Sequence, residues 1–111
     1  MKDKEKILHH YLHTALWTEE LDSEFDIEDF APSAIASAKN DINVFVEKAG
    51  KLLDLLPEYD IGQDIWMTRQ GHGVGFWDRG LGEVGVKLTE ICKEFKTLNV
   101  WKSELDVIYF E

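Results

Sequence analysis

Ile65-Trp66-Met67-Thr68-Arg69-Gln70-Gly71-His72-Gly73-Val74-Gly75-Phe76-Trp77-Asp78 is the stretch on which the reading of this chain turns. Up to Pro57 the apolar residues recur at helical spacing, and after it the period changes. Ile65 to Arg69 reads as a strand, Gly71-His72-Gly73 as a tight turn, and Val74 to Asp78 as the returning strand. A hairpin in mid-chain, with helices on both sides of it, makes the chain an α+β protein.

Upstream, Leu8, Tyr11, Leu12, Ala15 and Leu16 share one face of a helix running from about Lys4 to Thr18. A second helix starts at Pro32-Ser33, with proline suited to the first turn. It runs through Ile35, Ala38, Ile42, Phe45, Val46, Ala49, Leu52, Leu53 and Leu56 until Pro57 stops it. Downstream, Leu81, Val84, Leu88, Ile91, Cys92 and Phe95 share the face of a third helix. Leu98 to Trp101 and Leu105 to Phe110 read as a second hairpin around Lys102-Ser103-Glu104. The expected order is α-α-β-β-α-β-β, with two hairpins in a small antiparallel sheet packed against helices. Residues 1–111 are expected to form a single domain.

The chain has 111 residues, 44% of them hydrophobic and 12% aromatic, which fits a folded globular protein. No apolar run approaches the roughly 20 residues that span a bilayer, and Met1 to Lys6 leads into no signal-peptide core. Cys92 is alone, as expected in a reducing compartment. A cytoplasmic protein without membrane contact is the expectation.

A net charge of −10 argues against direct nucleic-acid binding, which needs Lys and Arg on phosphates. Seven of the acidic side chains (Glu19, Glu20, Asp22, Glu24, Asp26, Glu28 and Asp29) form a tract without a basic residue. The other fifteen face twelve bases, so this tract carries most of the excess. Its plain reading is a solvated loop. Leu21, Phe25, Ile27 and Phe30, interleaved among the carboxylates, should pin it to the domain.

Residue chemistry concentrates in the glycine-rich stretch. Gly71 and Gly73 flank His72 at the expected hairpin tip, and Gly80 and Gly82 lead into the third helix, whose first free N–H groups suit an anion. Arg69, His72 and Arg79 would add positive charge, Trp77 and Asp78 further contacts. Glu83 competes for the helix N-terminus. The opposing reading makes Trp66, Phe76 and Trp77 core and pairs Asp78 with Arg79 or Arg69. As the one histidine in the stretch, His72 is the candidate acid or base, with Asp78 to orient it. No nucleophile accompanies it: Thr68 is a strand hydroxyl, and Cys92 lies on a buried helix face. Gly71-His72-Gly73-Val74-Gly75-Phe76 lacks the glycine spacing and the βαβ setting of a dinucleotide fingerprint. His9 and His13 share a helix face, but His10 stands where a zinc-protease helix needs glutamate, so they read as solvated. No metal or cofactor is expected.

Trp66-x-Thr68-Arg69-x-Gly71-His72-Gly73-x-Gly75-Phe76-Trp77-Asp78-Arg79-Gly80 resembles a family of small, acidic, uncharacterised proteins of tailed bacteriophages. There an aromatic-Trp-x-Thr-Arg-Asn-Gly-His-Gly run continues into Gly-Phe-Trp-Asp-Arg-Gly. Tyr11-Leu12-His13-Thr14-Ala15-Leu16-Trp17 is similar to that family's first helix. Gln70 replaces the usual Asn, which should alter the turn, and Ile65 replaces an aromatic. The resemblance implies a phage origin and an accessory role in the host cytoplasm, and brings no assigned reaction.

Three functions follow as expectations. The first is binding, through Arg69, Gly71, His72, Gly73, Trp77, Asp78 and Arg79, of a small anionic ligand or a segment of a host or defence protein. The second is an acidic DNA mimic acting through Glu19–Asp29 on a host DNA-binding enzyme. The third is a small hydrolase or transferase using His72.

Overall fold

The computed structural model describes residues 2–72 and 74–111. Among them it has four α-helices, α1 (Lys4–Thr18), α2 (Pro32–Ala49), α3 (Glu58–Arg69) and α4 (Glu83–Cys92), followed by strands β1 (Val100–Lys102) and β2 (Ile108–Phe110). Short 3-10 turns lie at Ile27–Asp29, Gly50–Leu53 and Phe76–Asp78. The protein is mostly helical, with one two-stranded antiparallel sheet.

The central hairpin is therefore corrected to a helix followed by a loop. Ile65 to Arg69 is the last part of α3, and Phe76–Asp78 is a 3-10 turn. The physical reason is burial. Ile61, Gly62, Asp64, Ile65, Trp66, Met67, Thr68 and Arg69 are all buried, so the second half of α3 has no polar face and shows no helical period. The helix start was written as Pro57 followed by Glu58 and Asp60, acidic residues in a first turn.

The second helix is also shorter than its apolar pattern. Gly50, at φ +49, ends α2 in the left-handed region, and a 3-10 turn carries Leu52 and Leu53 onward. Both α1 and the face of α4 match their periodicity. The terminal hairpin forms with Val100 opposite Phe110, Trp101 opposite Tyr109 and Lys102 opposite Ile108.

Helices α1 and α3 lie side by side and run in the same direction. At their starts the Asp3 N–H donates to Glu58 Oε2 (3.0 Å); near their ends Trp66 Nε1 donates to Thr18 Oγ1 (2.8 Å). Between these points Gly62 lets the backbones touch: a Cβ there would stand 2.5 Å from the Ile7 carbonyl oxygen and 2.9 Å from Tyr11 N. Trp66 meets Tyr11 edge-on, and Phe110 from β2 packs on both. Helix α2 closes the other side, where Phe45 stacks on Phe76 at 5.6 Å. The acidic tract is held down by half-buried Leu21, Phe25 and Ile27 and by buried Phe30. The Ala31 N–H then donates to the Ile108 carbonyl at 2.8 Å, joining the tract to β2.

Candidate functional site

The signature stretch is built around the exit from α3. The Gly71 N–H donates to the Thr68 carbonyl (3.2 Å) and the His72 N–H to the Met67 carbonyl (3.1 Å), with Gly71 at φ +71. This is the glycine cap of a helix C-terminus, in which two free carbonyls find donors and the chain turns through a left-handed residue. Gln70 stays right-handed at φ −83. The left-handed position is Gly71, so the expectation that Gln70 alters the turn is not met. The Gln70 side chain clasps the Leu98 backbone: Nε2 donates to its carbonyl and Oε1 accepts from its N–H, both at 2.7 Å.

Most polar members of the motif have partners inside the fold. Arg69 is buried. Its Nη1 donates to Asp41 Oδ2 (2.9 Å) and to the Tyr11 hydroxyl (3.0 Å), while Nε and Nη2 donate to the Lys96 carbonyl (3.0 and 2.6 Å). The Phe95 ring lies 5.3 Å from its guanidinium carbon. Burial pushes the Tyr11 hydroxyl up to about 12, so it stays protonated beside the arginine. Asp78 Oδ1 accepts from the Gly75 N–H (3.0 Å), and Thr68 Oγ1 accepts from the Phe76 N–H (3.4 Å). Gly75 presses on Thr68 and on the Trp77 ring, leaving no room for a Cβ. Trp66 and Phe76 are core residues, whereas Trp77 is exposed. Gly73 lies outside the described residues.

Arg79 reaches back to α3, where Nε and Nη2 bind Asp64, the latter at 3.0 Å, and Nη2 lies 3.3 Å from Asp60. Burial raises the Asp64 carboxyl above its ordinary range, and the Arg79 hydrogen bonds only partly offset this. Arg79→Ala should therefore cost about 2 kcal/mol at pH 7, the low side for a buried pair because solvent reaches part of the arginine. The raised Asp64 carboxyl means that the folded state holds its proton more readily than the unfolded one. The penalty is therefore present above the raised value and fades as pH falls through it toward the ordinary carboxylate value of about 4. Urea unfolding of both proteins at steps from pH 7 down to about pH 4 checks this. A deficit that stays constant or grows on acidification, or one that shrinks equally with Asp64→Asn present, refutes it.

The structure thus does not gather Arg69, His72, Asp78 and Arg79 around one opening. Of these four, His72 lines a concavity of about 720 Å³, together with Trp17, Thr18, Glu20, Asp22, Ser23, Met67 and Val74. That concavity joins the glycine stretch to the acidic tract, a juxtaposition invisible along the chain. Its floor is the C-terminal end of both parallel helices. Helix α1 is capped like α3: the Glu20 N–H donates to the Trp17 carbonyl (3.1 Å) and the Leu21 N–H to the Leu16 carbonyl (2.9 Å), with Glu20 itself left-handed at φ +59. Two negative helix ends and the carboxylates of Glu20 and Asp22 point one way electrostatically, toward a cation. The twin caps were the sequence signal for this cup, but only the α3 cap carries the glycine that advertises one.

The remaining candidates lie elsewhere. Glu83, at the start of α4, pairs with Lys87 (4.0 Å). The Cys92 thiol is buried and pushed up by that burial, which makes it a poor nucleophile. His9 and His13 stack with ring centroids 6.2 Å apart, and His10 leans on Tyr59. Among the described residues no group of three His, Cys, Asp or Glu side chains is placed to hold a metal ion. None of the described helices is long and apolar enough to cross a membrane. The chain matches no family model, no curated protein and no solved structure.

Proposed function

We propose that this protein acts by binding, and that its ligand is a basic segment of a partner protein held in the cup between the acidic tract and the glycine-histidine loop. The observation that carries this reading is the polarity of the concavity. Glu20, Asp22 and two helix C-termini surround it, while Arg69 and Arg79, which would be needed for an anion, are already engaged by Asp41, Asp60 and Asp64. Exposed Trp17 on the wall adds a face on which a guanidinium or an alkyl-ammonium stem can lie. In the setting that the phage resemblance implies, the partner is a host protein, defence factors included, and binding interferes with it.

The test uses an arginine-rich peptide as probe. Glu20→Gln with Asp22→Asn should weaken its binding about tenfold at low salt, and the difference should shrink as salt is raised. Equal binding by the neutralised variant rules the reading out.

A second reading, the DNA mimic, rests on the order of the acidic tract. Asp29 Oδ2 accepts from the Asp26 N–H (2.9 Å) and Asp26 Oδ1 from the Ile27 N–H (2.7 Å), so exposed Glu24 and Glu28 flank a defined turn and not a floppy loop. It differs in requiring the whole Glu19–Asp29 array and in being competed by DNA for the partner. Hydrolysis by His72 has no such support.

A further inference from the structure

The cup does not end at Trp17. Trp17 also lines a smaller depression of about 250 Å³ between α1 and α3, together with His13, Thr14, Tyr59 and Gln63. Two large aromatics stand open here, Trp17 at 52% and Tyr59 at 57% of their full exposure. Exposed aromatics flanking a depression are the residue type that anchors protein interfaces, because they offer much apolar area for few rotatable bonds. Tyr59 is also braced: its ring packs on His10, with centroids 4.7 Å apart, so little order remains to be lost on binding. The depression and the cup share one wall and lie along one seam.

Resting on the binding reading above, we infer that the partner segment is held at two points: an arginine or lysine in the cup, and an aromatic or large apolar side chain in the Trp17–Tyr59 depression. Charge supplies the choice of occupant. The acidic cup admits a basic residue, and the neighbouring depression, which lacks a carboxylate among its lining residues, takes a neutral one. Spacing follows from the helices. From the level of Thr14 and Gln63 to that of Glu20 and His72 the seam runs roughly 10 Å at 1.5 Å per helical residue. A peptide in the polyproline II conformation covers about that distance in one turn of three residues at roughly 3.1 Å each, which brings its first and fourth side chains to the same face. The motif recognised is basic-x-x-aromatic or its reverse.

The experiment titrates capped, glycine-spaced hexapeptides into isotopically labelled protein and follows backbone and indole resonances. One peptide carries a single arginine, one a single phenylalanine, and one both, three residues apart. The two-residue peptide should bind about tenfold tighter than the arginine peptide and should move His13, Tyr59 and Gln63 as well as the cup. Tyr59→Ala, a change on the surface, should erase that advantage while leaving the arginine peptide's affinity as it was. If both arginine-bearing peptides bind the cup equally, the second anchor is refuted and the cup stands. If the phenylalanine peptide binds as tightly as the combined one, linkage of the two anchors is refuted. If no arginine peptide moves Trp17, Glu20 or His72, the cup reading itself falls and takes this inference with it.

Discussion

Arg69→Ala should destabilise the protein by about 4 kcal/mol, a large part of the stability of a small domain. The Arg69 side chain is 3% exposed and carries four hydrogen bonds, to α1 through Tyr11, to α2 through Asp41 and to the segment after α4 through Lys96. Removing it leaves the Asp41 carboxylate, itself only 20% exposed, without its cation and opens a cavity under Phe95. Most of the loss is thus the cost of an orphaned charge, and the net contribution of the pair is smaller. That distinction is measurable. Asp41→Asn added to Arg69→Met should recover a substantial part of the stability lost in Arg69→Met alone, because no ion then remains to be desolvated. Denaturant unfolding of the single and double variants decides it, and a double variant no more stable than the single one contradicts the account.

Gly62→Ala should be nearly as damaging, about 3 kcal/mol, for a reason of shape alone. The added methyl would meet the Ile7 carbonyl oxygen at 2.5 Å, Tyr11 N at 2.9 Å and His10 Cβ at 3.0 Å. Two of those three are backbone atoms of α1 and cannot swing aside, so the helices must part. Parting them loosens Trp66 against Tyr11 and the bond from Trp66 Nε1 to Thr18. Because the floor of the cup is the paired ends of these helices, the same change should weaken the arginine-rich peptide as well as lower the melting temperature. Helix propensity alone would favour alanine over glycine by up to about 1 kcal/mol, so an unchanged or raised melting temperature would show that the two helices are not in backbone contact.

Much of the fold was legible in the residues. The terminal hairpin is marked by two short apolar runs on either side of Ser103. Helices α1 and α4 and most of α2 each carry one apolar face and one wet face, and the period of that alternation is a local property of the chain. Helix α3 does not, because it runs through the middle of the molecule and is covered on nearly every side. Its Ile-Trp-Met-Thr run then looks like a strand, and its end, Gly71, looks like a hairpin tip when it is a helix cap. The same misreading of α3 bears on the candidate residues. Arg69 and Arg79 look like ligands for an anion as long as their partners are unknown, and those partners, Asp41 and Asp64, are 28 and 15 residues away.

The sequence by itself determined that the charge excess sits in one tract, and it offered a core placement for Trp66, Phe76 and Trp77 that the structure gives to the first two. Only the tertiary structure decided that the signature stretch is chiefly an internal fastening, with Gln70, Asp78, Arg69 and Arg79 bonded within the fold. It also decided that His72, Glu20 and Asp22 line one concavity. The reason is that a side chain's chemistry depends on its type, but its availability depends on which carboxylate, carbonyl or ring the packing of α1 against α3 brings to it.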